Sequence, residues 1–384
     1  MGKLNAFIIQ LQNQNAIFYP GQPVHGQVYV DLNADMKMRE IRLRFQGNAN
    51  VHWTEQHETG TGDDRRTETV TYSAHEKYFD ITAALYGKTL GHGEKLPSGQ
   101  HNFPFQFILP PTLPSSFEHQ YGQVRYMLKA TIDKPWKFDH HTKLPFTVVS
   151  LLDLNAIPEA PRPMQNQVAK TLCCLCCESG PITGVLRVDK TGYVPGEAIY
   201  LQGEIQNLSD TECSVEVRLN LNMLFHATSK TRSVPQEVTK LVLDRSNPGE
   251  TQSLSGKRIV IPPVAPSFLA GCSIIDIRYH LELHVNPSSV SKRLIVPVDI
   301  IIGSIPLRSS FHSIMQPQPA IAPHDVNINV VGQGPGAFPS APELPPPSYA
   351  ECVFGKTDMH DEDDNEHTKG QMSYAPAYPY YNFS

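Results

Sequence analysis

The sequence predicts an all-β protein: two tandem β-sandwiches followed by a disordered C-terminal tail. Three observations carry this. Apolar and polar residues alternate at period two, the chain repeats itself once at domain scale, and both patterns stop after residue 303.

The alternation is plain near the start. Val24, Gly26, Val28, Val30 and Leu32 interleave with His25, Gln27, Tyr29 and Asp31. Ile41, Leu43 and Phe45 interleave with Arg42, Arg44 and Gln46, and Gly47, Ala49, Val51 and Trp53 continue that face. Successive strand side chains point to opposite faces, so one apolar face marks a half-buried antiparallel strand. Helical periodicity is weak throughout. The stretch Met164–Leu175 reads either as a helix or as linker.

The repeat appears twice in the same order. Ile17-Phe18-Tyr19-Pro20-Gly21-Gln22 matches Gly192-Tyr193-Val194-Pro195-Gly196-Glu197. Later, Leu109-Pro110-Pro111-Thr112-Leu113-Pro114-Ser115 matches Ile261-Pro262-Pro263-Val264-Ala265-Pro266-Ser267. Val124-Arg125-Tyr126-Met127-Leu128 then matches Ile277-Arg278-Tyr279-His280-Leu281. Ordered matches of this kind indicate two copies of one domain, and frequent turn signals between short strands favour sandwiches over barrels. The expected boundaries are 4–152 for the first sandwich, 153–180 for a linker with a cysteine cluster, 181–303 for the second sandwich, and 304–384 for the tail.

The tail is dominated by Pro, Gly, Ala, Asn and Gln, too little apolar surface to offset the entropy of ordering. It holds nine acidic and three basic residues, which account for the chain's formal charge of −6. The remainder is neutral and offers no net electrostatic reason to bind nucleic acid. The acidic run Asp361-Glu362-Asp363-Asp364 reads as a solvated spacer. Pro345-Pro346-Pro347 presets a polyproline II helix, and Tyr349 follows at the spacing of a Pro-Pro-x-Tyr peptide. Such a peptide suits a WW domain: the prolines Pro346 and Pro347 lie between aromatic rings, and Tyr349 fills the adjacent pocket. Ala375-Pro376-Ala377-Tyr378 lacks the first proline of a second copy. Pro339-Ser340-Ala341-Pro342 is similar to the Pro-Ser/Thr-Ala-Pro peptide bound by the ESCRT-I sorting complex. Tyr380-Tyr381-Asn382-Phe383 fits a Tyr-x-x-apolar sorting pattern.

Taken together, the two Pro-Gly turns, the Gly47-x-Ala49-x-Val51-x-Trp53 strand and the Pro-Pro-x-Tyr tail resemble the α-arrestins, or arrestin domain-containing proteins. The resemblance implies two arrestin-like sandwiches of immunoglobulin type over about residues 4–303. It further implies an adaptor that recruits HECT-type ubiquitin ligases to membrane receptors or transporters for ubiquitination, endocytosis and endosomal sorting. The implied location is cytoplasmic, with recruitment to the plasma membrane and endosomes. The alternative is a structural sorting scaffold of the retromer-related, arrestin-like type, which needs no ligase peptide.

Catalysis and cofactors find no foothold. The sequence has no Gly-x-Ser-x-Gly elbow, no Gly-x-x-x-x-Gly-Lys loop and no His-Glu-x-x-His pair. His140-His141 reads as a surface turn rather than a metal site. No apolar run reaches ~18 residues, and the first residues lack a signal-peptide core, so a reducing compartment is expected. Cys173, Cys174, Cys176 and Cys177 are open to S-palmitoylation, to zinc or to no special role. Four thiols within five residues cannot readily surround one ion, so no metal is expected there. Acylation would give peripheral membrane association. Cys213 and Cys272 read as core residues.

Overall fold

The computed structural model describes residues 3–59, 65–87, 94–174, 177–288, 293–312, 348–361 and 363–383. Two sandwiches account for most of them. In the first, a sheet of Leu4–Leu11, Pro23–Leu32 and Gly99–Ile108 faces a sheet ordered Ile17–Phe18, His140–Val148, Gly122–Asp133, Glu40–Thr59, Arg66–Gly87. In the second, Met164–Cys174, Cys177–Val188, Gln202–Asn207 and Thr251–Ser253 face Gly192–Tyr193, Leu294–Ile302, Ile275–Pro287, Cys213–His226 and Thr231–Val242. The period-two residues form the core: Val24, Val28, Val30, Ile41, Leu43, Ala49, Val51 and Trp53 are all buried.

The duplication extends to single hydrogen bonds. In each domain a two-residue strand pairs in parallel with the last long strand, Ile17 to Thr147 and Gly192 to Ile301. Tyr126 Oη donates to Pro114 O at 2.8 Å, and Tyr279 Oη donates to Ala265 O at 2.7 Å. Ser116 Oγ accepts from Val148 N, as Ser267 Oγ accepts from Ile302 N. Ser116, not Ser115, is therefore the counterpart of Ser267, one residue from the match that sequence suggests. Each buried tyrosine keeps its hydroxyl satisfied while its ring fills the core, where an orphaned hydroxyl would cost about 1–3 kcal/mol.

Several expectations need correction. Met164–Cys174 is neither helix nor linker. It is an edge strand paired antiparallel to Cys177–Val188, so the second sandwich begins near residue 164. Its inward positions include Asn166 and Lys170, which bond Pro297 O and Arg293 O; these polar residues hid the alternation. His140 and His141 are not a turn. They begin a strand, opposite Ile132 and Thr131, and His141 is buried. Cys213 is buried as expected, while Cys272 is partly exposed.

The tail departs most. Residues 348–383 are not extended in solvent but run back across the first sandwich and onto the second. Ser348–Glu351 pairs antiparallel with Ala377–Tyr380, and Thr357–Asp358 pairs with Ser373–Tyr374. Thr368–Gly370 adds in parallel to His140–Val148 and covers an otherwise open sheet edge. For residues 348–361 and 363–383 the composition argument overlooks a few aromatic anchors that supply apolar burial; residues 313–347 of the tail expected to be disordered lie outside the described residues.

Candidate partner-binding site

Four side chains anchor the C-terminal segment. Tyr374 lies buried with its hydroxyl 2.9 Å from Thr147 Oγ1 and 3.2 Å from Phe146 O. Tyr378 is 1% exposed and donates to Ser116 O at 2.8 Å. Tyr381 donates to Ser304 O at 2.8 Å, beyond the second sandwich's last strand. Met359 is wholly buried against Met127 and Tyr374. Burying a large apolar side chain is worth about 1.5–3 kcal/mol, so these anchors act together as a clasp.

Charge fixes the register. The Lys143 ammonium, with no solvent exposure, sits 2.6 Å from Asp361 Oδ2 and 2.6 Å from Asp364 Oδ1. It also donates to Met359 O at 3.3 Å. The acidic run is thus a docking element for its two outer aspartates, not a solvated spacer. Asp363 lies 3.8 Å from Lys129, and Glu362 lies outside the described residues. Between this acidic turn and the sheet lies a polar cavity of about 320 Å³, bordered by Arg44, Arg125, Lys129 and Asp363 among others.

Two glycines allow close approach. Gly370 has φ +106°, and a Cβ there would lie 2.2 Å from Lys143 O. Gly196, in the second Pro-Gly turn, has φ +93°, and its Cβ would lie 1.9 Å from Tyr381 O. Neither position admits a side chain while the segment is docked.

Burial alone would raise the Asp364 carboxyl, but the Lys143 bond and charge and the Asp361 N–H outweigh it and hold the group below its ordinary value of 3.8. A depressed docked value favours docking above the free value and loses that contribution as pH falls through the docked value. Acidification below about pH 3.8 is therefore expected to loosen the segment, read as pepsin cleavage within residues 348–383. Lys143→Met, which lacks the partner, should lose this acid-dependent step; an identical step in the variant would refute the assignment.

The sequence-predicted ligand lies at the start of this segment. Pro346 and Pro347 are outside the described residues, as are Pro339, Ser340, Ala341 and Pro342. Tyr349 is half-buried, and its hydroxyl hydrogen-bonds that of Tyr19, in the first Pro-Gly turn. The two duplicated turns thus each hold one tail tyrosine: Tyr349 at the first, Tyr381 at the second, where Tyr381 N donates to Pro195 O at 3.0 Å. Burial first, then the Tyr349 bond, pushes the Tyr19 hydroxyl far up. Tyr378, of the imperfect second motif, is sealed in the core; in the sorting-like pattern the leading Tyr380 is half-buried and Tyr381 is buried against the chain's own body.

Of the cysteine cluster, Cys173 and Cys174 end one strand and Cys177 begins the next, with Cys174 opposite Cys177; Cys176 lies outside the described residues. Among the described residues, no group of three or more His, Cys, Asp or Glu side chains could hold a metal. No helix there is long and apolar enough to cross a membrane.

Two sandwiches with matched short parallel strands and matched tyrosine bonds define a paired arrestin architecture. The family model for the arrestin (or S-antigen) N-terminal domain matches residues 7–155, and that for the C-terminal domain matches residues 178–307. The chain is 29% identical to "Arrestin domain-containing protein 17" of Caenorhabditis elegans, over 99% of this chain and 100% of that protein. It is 28% identical to "Arrestin domain-containing protein 1" of Rattus norvegicus, over 92% of this chain and 74% of that one. It is 30% identical to "Arrestin domain-containing protein 4" of Mus musculus, over 74% and 68% respectively. The chain belongs to the α-arrestins, the arrestin domain-containing proteins, a family of adaptors and scaffolds.

Proposed function

We propose that this chain is a non-enzymatic adaptor that recruits a WW-domain HECT-type ubiquitin ligase to membrane receptors or transporters. Pro346, Pro347 and Tyr349 are the ligase ligand, and the outcome is cargo ubiquitination, endocytosis and endosomal sorting. The adaptor works from the cytoplasmic face of the plasma membrane and endosomes. Pro339-Ser340-Ala341-Pro342 is a second, ESCRT-I-directed peptide upstream. Its four-residue offset from Pro346 spans ~12 Å as polyproline II, too short for two domains to bind side by side.

One observation carries the choice of ligand. Tyr349 is held by one hydroxyl bond and a short strand pair, whereas Tyr374, Tyr378 and Tyr381 are buried. Tyr349 contributes little to holding the clasp, so it is the tail tyrosine left for a partner once the segment lifts away, whereas the others form the clasp itself. A WW domain must enclose the Tyr349 ring, which in the docked segment is half-buried, bonded to Tyr19 and set in a strand paired with Ala377–Tyr380. Docked and ligase-bound states are therefore mutually exclusive, and the ligand is stored against the body until it undocks.

The test is the ubiquitin content of surface proteins in cells carrying either wild type or Pro346→Ala/Pro347→Ala. Wild type should raise ubiquitination of a cargo set that the variant leaves at background. Equal ubiquitination by both would favour the ligase-independent scaffold.

A further inference from the structure

The hairpin joining Gly122–Asp133 to His140–Val148 carries Lys134-Pro135-Trp136-Lys137-Phe138-Asp139 at its tip. Trp136 is 100% exposed and Phe138 68%, whereas the chain's other tryptophan, Trp53, is 3% exposed. Leaving the largest apolar side chain wholly in water forgoes burial that the same ring would gain almost anywhere else. The backbone enforces the exposure. Trp136 has φ +61°, a region that bulky residues avoid, and the Lys134 N–H to Asp139 Oδ1 bond of 3.0 Å closes the loop around it.

Cations surround the aromatic tip. Arg39, Lys134 and Lys137 border one shallow depression with Trp136 and Phe138, and Lys3 is within electrostatic reach of Lys134. The nearby acids are already engaged. Asp133 pairs with Arg39 at 2.9 Å and Arg42 at 3.4 Å, and Asp139 accepts from the Lys134 N–H and faces Arg42 at 3.8 Å. His140 reports the resulting field: burial first, then Lys134, His367 and Lys369, pushes its imidazole down to about 4.

We propose that this hairpin tip is a membrane-contact site, with Trp136 and Phe138 entering the boundary between headgroups and acyl chains of an anionic bilayer while Lys134 and Lys137 meet the headgroups. A bilayer is the occupant that fits. The aromatics stand on a protruding turn rather than in a concave slot, and tryptophan flanked by lysines is the pattern favoured at a lipid–water interface. Lysines at such a surface add attraction to anionic lipid that salt screens. The site would orient the body on the membrane that holds its cargo, and it needs no acyl group on the cysteine hairpin.

The test uses the full chain made in bacteria, hence unacylated, with phosphatidylcholine vesicles containing or lacking phosphatidylserine. Wild type should co-float with the phosphatidylserine vesicles only, with a blue shift of tryptophan emission, and release at high salt. Trp136→Ser/Phe138→Ser should lower the partition coefficient at least tenfold with an unchanged thermal midpoint. Trp136→Phe should retain most binding but lose the blue shift. Equal flotation of wild type and the double variant overturns the proposal. So does absence of wild-type binding, and a protein partner captured through this loop under that condition would reassign the site.

Discussion

Tyr349→Ala is expected to cripple binding of a WW domain to the intact chain, lowering affinity by about 30- to 1,000-fold. The ring supplies most of the apolar area that the peptide offers beyond its two prolines, and truncating a buried aromatic anchor costs about 2–4 kcal/mol. The same change should leave the body's stability nearly untouched. Tyr349 gives its body contact through one hydroxyl bond to Tyr19, and an exchangeable bond of that kind is worth about 1 kcal/mol. Isothermal titration with a WW domain, paired with thermal unfolding, separates the two effects. Retained affinity would dismiss Tyr349 as the ligand, whatever the state of the tail.

Lys143→Met should act in the opposite direction and strengthen WW binding. In the docked segment this ammonium neutralises Asp361 and Asp364, and the Asp364 side chain is only 9% exposed. Removing one partner of a buried ion pair leaves the other charges uncompensated, at about 3–5 kcal/mol in a closed interior. Part of that is recovered because the segment can lift into water, so a loss of about 2 kcal/mol in docking is expected. Apparent affinity scales with the population of the competent, undocked state, so this corresponds to a gain of about 30-fold while the wild type is mostly docked. Limited proteolysis should find new cleavage sites within residues 348–383 in the variant. Unchanged WW affinity with an unchanged digest would show that Lys143 does not hold the segment.

The sandwiches were legible because their strands obey one rule with few exceptions. Val24 to Leu32 and Ile41 to Trp53 present one apolar face, and that face is the core. The duplication was legible because Arg125-Tyr126 and Arg278-Tyr279 follow a Pro-Pro loop in both halves, and the tyrosines make the same bond. The Met164–Cys174 strand was not legible. Its inward Asn166 and Lys170 bond carbonyls at the last long strand of the facing sheet, and nothing local announces those partners.

The docked segment was missed for a related reason. Nothing in the sequence marks Lys143 as a docking residue, and Asp361 to Asp364 reads as a spacer, because the counter-ion of each lies over two hundred residues away. The usable signal was the spacing of Tyr374, Tyr378 and Tyr381 in an otherwise polar stretch. With Tyr380 they make four aromatics within eight residues, more than a solvated spacer requires. The contact between Tyr349 and Tyr19 was not legible either, since a turn tyrosine gives no hint of what will meet its hydroxyl.

The central claim is that the ligase ligand and the clasp exclude one another. Hydrogen exchange along residues 348–383, with and without saturating WW domain, tests it most directly. Without the domain, amides in Ala377–Tyr380 and Thr368–Gly370 should be protected by their strand partners. With the domain bound, protection of Tyr378 and Tyr380 should collapse as Ser348–Glu351 leaves its partner strand. Full WW occupancy with unchanged protection across Ala377–Tyr380 would contradict the account.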